Sequence, residues 1–464
     1  MQLLRKRLGS YSVVIGLLLV FSYEANLLFS IINNLRPVAD DYCLAGSADL
    51  SIFSYYSYWY TSFIADVTTL TGNYFLIALP AVFLPYGVGT SVTFIFCLIM
   101  ISIVVIKFLN IKLSNWKKST LFSVFVFLYA LLAWVSYWLV LGRGNSGNMV
   151  SRGESGDMVF FGAILNWQAA NINYVILPLL ALLIYSCMFT ERFKSRNVAL
   201  AFLAGIIVGG SFYVTSAVFL LLLIVQLILD IARTEQISIR KFRNEIIVIV
   251  AAIISISLSY FSPGAQKRSL NYTQEVSRAD IVKTAAEGIF TWFSTLYVPA
   301  IAITLIMGAI FYRLSKALKL GEFDLQVQKF ILIPLSLSLI TFVVTKVSEL
   351  FAYKAWWHEL SSRTLLFIAV FLLGIYLMHI ADAYTPKEFS FLTLTIFAST
   401  IFIAIFALRQ AENSVKERKL KWEVGAAQVT KDMDPFDRET AWVNACWIQL
   451  AEKRASLQEP TEIK

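Results

Sequence analysis

The residues best suited to chemistry lie in Arg36-Pro37-Val38-Ala39-Asp40-Asp41-Tyr42-Cys43, just beyond the first long apolar stretch. Two adjacent carboxylates can take a proton from a substrate hydroxyl, the task of a general base. Asp is also favoured as a helix cap, so the pair alone fits a structural role too. An aromatic run follows at Tyr55-Tyr56-Ser57-Tyr58-Trp59-Tyr60. Tyr42 and Trp59 beside the pair, with Trp167 and His358 further along, offer faces for a sugar ring. They fit equally as anchors at a membrane–water interface.

Cations are the second ingredient. Lys267, Arg268, Arg278, Lys346, Lys354 and Arg363 fall in the same set of loops as the acidic pair. Arg and Lys clamp phosphates, although neighbouring acids such as Glu275 or Glu359 could also absorb these charges. Only two histidines occur, His358 and His379. No Cys/His group has the spacing of a metal site, so the chain does not point to zinc or redox chemistry.

The elements that must position these residues are membrane spans. Hydrophobic residues make up 58% of the chain and charged ones 15%, against about 45–50% and 25% in ordinary globular proteins. Mean hydropathy is +0.69. Apolar runs of roughly 20 residues recur along the chain, each long enough to cross hydrocarbon. The reading is an all-α polytopic membrane protein with about eleven spans. A net charge of +9 reflects Lys and Arg in short loops, where they set topology rather than bind nucleic acid.

Arg5-Lys6-Arg7 precedes the first span, Tyr11 to Ile32, and places the N-terminus in the cytoplasm. That span is expected to be retained, since it is too long for a signal-peptide core. The first external loop, about 33–73, then carries the acidic pair and a short surface helix. Pro80, Pro85, Gly87 and Gly89 interrupt 74–109, which reads as a half-buried piece followed by one span. Leu121 to Leu141 returns outward, and a glycine-rich external loop runs from Gly142 to Asp157. The next span starts near Trp167 and ends at Glu191. Val198 to Asp230 must hold two spans with an outer turn at Gly209-Gly210-Ser211. Ile246–Phe261, Phe293–Phe311, Phe330–Thr345, Leu365–Ile380 and Phe389–Leu408 complete the set, with an external loop from Lys346 to Arg363. The transmembrane domain is thus expected over 1–408. A small extracytoplasmic tail follows over 409–464, where Trp422, Trp442 and Trp447 supply bulk to dock on the outer loops. Span interiors are expected to be almost free of charge, Glu24 and Lys107 excepted.

The chain resembles the GT-C superfamily of membrane glycosyltransferases. The shared features are the span count, the acidic pair opening the first external loop, and the surface helix after it. Within it, the chain is similar to a bacterial family of uncharacterised multi-spanning proteins. That likeness rests on Ala39-Asp40-Asp41-Tyr42, Asn171-Ile172-Asn173-Tyr174, Ser262-Pro263-Gly264-Ala265-Gln266-Lys267-Arg268 and Trp442-Val443-Asn444-Ala445-Cys446. The third motif often has Asn where this chain has Ala265. The resemblance implies transfer of a sugar from a polyprenyl-phosphate donor to an external glycan or glycolipid acceptor, with inversion. Asp40 or Asp41 would be the base, and Lys267, Arg268 and Arg363 would clamp the donor phosphate. It implies no cofactor, and a divalent metal is compatible with it. The setting would be the bacterial inner membrane, with the C-terminus outside.

Two rival classes share this composition. A flippase or transporter would place charge inside its spans. An O-antigen polymerase or ligase would rely on a large late external loop, whereas the acidic pair here comes early. A non-catalytic assembly protein is a further alternative. Among the cysteines, Cys97 and Cys187 fall within spans as small apolar residues. Cys43 and Cys446 fall outside, where a disulfide can persist, and are expected either to bond or to remain two separate thiols.

Overall fold

The computed structural model describes residues 19–20, 22–34, 87–109, 111–112, 172–190, 198–210, 213–232, 242–261, 276–294, 296, 298–317, 322–323, 327–350 and 360–384. It also describes helical positions between 122 and 138 and between 402 and 416. In chain order the helices are α1 (Gly87–Leu109), α2 (Leu177–Thr190), α3 (Val198–Gly209), α4 (Tyr213–Ala232) and α5 (Arg243–Tyr260). They continue with α6 (Arg278–Ser294), α7 (Val298–Ala317), α8 (Val327–Ser348) and α9 (Leu360–Tyr384). Five of them, α1, α4, α7, α8 and α9, are long and apolar enough to cross a membrane; α3 and Tyr174–Ser186 are shorter apolar helices. This is an α-helical, multi-pass membrane architecture. Helices suit it because lipid offers no partners for backbone N–H and C=O groups.

The helix breaks follow backbone chemistry. The expected turn at Gly209-Gly210-Ser211 is present: α3 ends at Gly209, and α4 begins at Tyr213. The span expected from Phe293 instead starts at Val298, because α6 ends at Ser294 and Pro299 falls in the first turn of α7, where proline is tolerated. Helix α6 starts on a reciprocal cap. The Ser277 hydroxyl and backbone N–H both donate to Asp280 Oδ2, at 2.7 and 3.1 Å, and the Asp280 N–H donates to Ser277 Oγ at 3.1 Å. These bonds hold the Asp280 carboxyl below its ordinary value. At the far end of the chain, 408–413 and 415–416 are helical, so helix continues beyond the boundary expected at Leu408.

Helix α9 is the axis of the bundle. Every residue from Leu360 to Leu372 is buried, as expected for a helix that is apolar all round. Helices α7 and α9 run parallel. A Cβ built on Gly308 would sit 2.2 Å from the Phe371 carbonyl oxygen, and one on Gly374 would sit 2.2 Å from that of Leu305. Further along the pair, Tyr312 meets His379, and Arg313 and Lys316 both pair with Asp382. Helices α3 and α5 are also parallel, with Gly205 against Val248 and Gly209 against Ala252. Glycine at these positions lets the backbones touch, the usual device where lipid supplies no hydrophobic drive. A ladder of rings packs along the axis. Phe125 stacks on Phe311 at 5.2 Å, and Phe311, Phe371, Phe367 and Trp134 follow at 5.7, 6.0 and 5.0 Å.

Both ends of the bundle are marked. At the Asp382 end, β1 (Ile111–Lys112) pairs antiparallel with β2 (Glu322–Phe323). That pairing puts the loops after α1 and after α7 on one side, as the expected topology requires. The opposite end is the Arg363 end, where Tyr137 Oη donates to the Arg363 carbonyl at 3.3 Å.

Candidate functional site

Arg363 is the expected site residue that lies within the described part of the chain. Asp40, Asp41, Tyr42, Cys43, Trp59, Trp167, Lys267, Arg268, His358 and Cys446 lie outside it. Arg363 was expected at the end of an external loop. It sits instead in the first turn of α9 and is only 2% exposed. The sequence places the span start at Leu365, but Leu360, Ser361 and Ser362 are already helical. The Ser362 hydroxyl is satisfied by Ser338 across the helix contact, so its polarity did not delay the helix. Asp382 at the other end is likewise inside α9 and buried. The expectation that only Glu24 and Lys107 place ionisable groups inside spans therefore needs correcting: Arg363 and Asp382 are buried within α9 as well.

The first turn of α9 is recessed. Ser338 on α8 lies beside Ser362, their hydroxyl oxygens 3.1 Å apart. Ser348, the last residue of α8, lies ten positions beyond Ser338, whereas Leu360 lies only two before Ser362. At 1.5 Å per residue, α8 projects about 12 Å past the start of α9. Helix α6 flanks that projection in the antiparallel sense. Trp292 Nε1 donates to Ser338 Oγ at 3.3 Å, and Gly288 faces Val343 and Lys346. A wall of two helices thus rises beside a buried helix N-terminus.

Around that terminus the side chains are polar and aromatic. The Arg363 guanidinium lies 5.6 Å from the centre of the Phe342 ring, and Lys346 Nζ lies 5.4 Å from the same ring. Trp138 packs edge-on against Trp134 and Tyr137; Trp134 meets Phe367, one turn below Arg363, edge-on, and Tyr137 meets it at a tilt. Several buried groups there have no hydrogen-bond partner among the described residues: Ser361 Oγ, Thr341 Oγ1, Thr345 Oγ1 and the indole N–H groups of Trp134 and Trp138. All can donate. The first N–H groups of a helix also lack intrahelical partners, and the helix dipole adds positive potential there. Lys346 is paired with Glu349 at 3.4 Å; the hydroxyl and indole donors, with the Arg363 guanidinium, give the arrangement a chemistry that suits an anion.

Tyr174 joins the site through backbone chemistry. Residues Ile172–Ile176 form a π-helical turn before α2. Pro178, four residues on, has no N–H to give to the Tyr174 carbonyl. That carbonyl accepts the Thr364 hydroxyl at 3.3 Å. Tyr174, the last residue of the Asn171–Tyr174 motif, therefore lies against the first turn of α9, a placement the motif itself did not announce. Ser361, Ser362 and Ser338 were also passed over in sequence. The cue was the run Ser361-Ser362-Arg363-Thr364 at the head of an apolar segment.

A separate polar contact joins the chain's first and last described stretches. Glu412 accepts Ser30 Oγ at 2.7 Å, Lys416 Nζ at 2.6 Å and Arg409 at 2.5 Å. Burial pushes its carboxyl up, but these three donors outweigh it and hold the group at about 2. Among the described residues, no three His, Cys, Asp or Glu side chains gather where a metal could be held. Comparisons with family models, curated proteins and solved structures find no match.

Proposed function

We propose that the protein is a membrane glycosyltransferase of GT-C type. It moves a sugar from a polyprenyl-phosphate donor to an acceptor on the outer side of a bacterial inner membrane, such as a cell-surface glycan, lipopolysaccharide or another glycoconjugate. One observation supports this reading above the rest: a buried arginine at a recessed helix N-terminus, next to a buried serine hydroxyl with no partner. Arginine presents a bidentate fork to a phosphate, and helix N-termini favour phosphate.

In this reading the donor phosphate sits at the head of α9 and its lipid tail runs down the apolar surface of the bundle. Asp40 or Asp41 takes the acceptor's proton, and the acceptor oxygen attacks the anomeric carbon in a single inverting displacement. Arg363, with Lys267 and Arg268, stabilises the departing lipid phosphate. The Arg363 end is then extracytoplasmic, the N-terminus cytoplasmic and the C-terminal tail extracytoplasmic. The reading includes eleven spans.

The test is transfer by the purified, membrane-reconstituted protein from a panel of polyprenyl-phosphate sugars, with the donor pool of a deletion strain naming the sugar. Accumulation of one lipid-linked sugar in the deletion strain, and its consumption by the purified protein, is the expected result. An unchanged donor pool would sink the reading.

A further inference from the structure

Glu24 is fully buried, and neither carboxyl oxygen has a hydrogen-bond partner. It lies nearly three turns before the stretch's end at 34, inside the first apolar segment, with Leu27, Leu28 and Ile31 buried along the same stretch. From the stretch between 122 and 138, Tyr129 lies within electrostatic reach of it. The Tyr129 hydroxyl is itself directed at Met307 Sδ on α7, 3.8 Å away, and a thioether is a weak acceptor.

Charged groups packed against this stretch are already engaged: Arg409 and Lys416 both pair with Glu412, which also accepts the Ser30 hydroxyl. Tyr23 on the same stretch is part-exposed and lies in the field of Arg409. Helix α7 offers Met307 here, which does not titrate. An ionised carboxylate with no donor would be very costly at this depth, whereas a neutral acid needs much less.

We infer that Glu24 is an intramembrane proton-binding site: the folded protein carries it as a neutral carboxylic acid. This does not rest on the glycosyltransferase reading. Its chemistry is a single proton bound to a carboxyl oxygen.

The test is infrared spectroscopy of the full chain in lipid nanodiscs at pH 7.5, comparing wild type with Glu24→Gln. The expected difference is one protonated carboxylic C=O band in the wild type, absent from the variant. A carboxylate band in its place overturns the proposal, and one that appears only with added sodium would reassign Glu24 to a cation. If Glu24→Gln fails to insert, the wild type alone still decides. A hydrophobic carbodiimide, which needs a protonated carboxyl, should leave its adduct on the Glu24 peptide at pH 7.5. An infrared spectrum of the wild type without any protonated-acid band overturns the idea.

Discussion

Ser338 of α8 and Ser362 of α9 bind each other twice, each hydroxyl donating to the other's carbonyl, at 2.8 and 2.7 Å. This reciprocal pair fixes how far α9 sits below the end of α8. It sets the depth of Arg363 and leaves the wall formed by α6 and α8 standing above it. Interhelical bonds of this kind contribute about 0.6–2 kcal/mol each in membrane proteins. Register, more than any single strong contact, builds the niche.

The α7–α9 contact depends on two glycines. Gly308→Ala or Gly374→Ala drives a Cβ to within 2.2 Å of a backbone carbonyl, which cannot step aside as a side chain can. Overpacking of this kind costs about 1–3 kcal/mol. Both variants should lower the unfolding temperature in detergent. Gly288→Ala is the control, because its Cβ would meet Val343 at an ordinary 3.5 Å. It should be neutral or stabilising by up to about 1 kcal/mol. Equal loss in all three would show that packing is not the cause.

Reporter fusions test the orientation. Fusions after Lys118, Arg196, Arg243, Lys319 and Lys387 should report cytoplasm. Those after Asp49, Asp157, Arg278 and Arg409 should report the outside. A cytoplasmic signal after Arg278 would put the head of α9 on the wrong side for an external acceptor.

Glu412 makes the join between the first and last described stretches dependent on pH. Its folded value, about 2, is depressed from an ordinary 4.5. A depressed carboxylate stabilises above its unfolded value, and that contribution fades as pH falls through the folded one. The gap in unfolding temperature between wild type and Glu412→Gln should be constant above about pH 5 and close towards pH 2. A gap that widens on acidification would mean Glu412 is not paired as described.

Apolar runs and basic loops made the helical, multi-pass character legible, because hydropathy and loop charge act locally. The turn at Gly210 was legible for the same reason: two short spans must reverse between basic clusters. Gly205 and Gly209 carry small-residue spacing in plain view, but their partners on α5 follow from packing, which hydropathy does not encode. Arg363 was legible as a candidate but not as a buried one. Its depth follows from the Ser338–Ser362 register, a contact between two segments that no local pattern specifies. Tyr174 came in through Pro178, whose missing N–H matters only once α9 lies alongside.

For the acidic pair, Asp40→Asn or Asp41→Asn should abolish transfer while the protein still inserts. Loss of a general base costs about 100–10,000-fold in rate. Near-normal glycosylation by both single variants would remove the proposed base.

The central claim is that the head of α9 holds the donor's phosphate, and photo-crosslinking tests it most directly. The probe is a diazirine-bearing polyprenyl phosphate, used with wild type, Arg363→Lys and Arg363→Ala in nanodiscs, each first shown to fold. The wild type should crosslink to peptides of α8 and α9 near Phe342 and Leu360. Arg363→Lys should weaken labelling, since lysine lacks the bidentate fork, and Arg363→Ala should reduce it about tenfold or more. Labelling of equal strength at those peptides in the wild type and in Arg363→Ala would contradict the account.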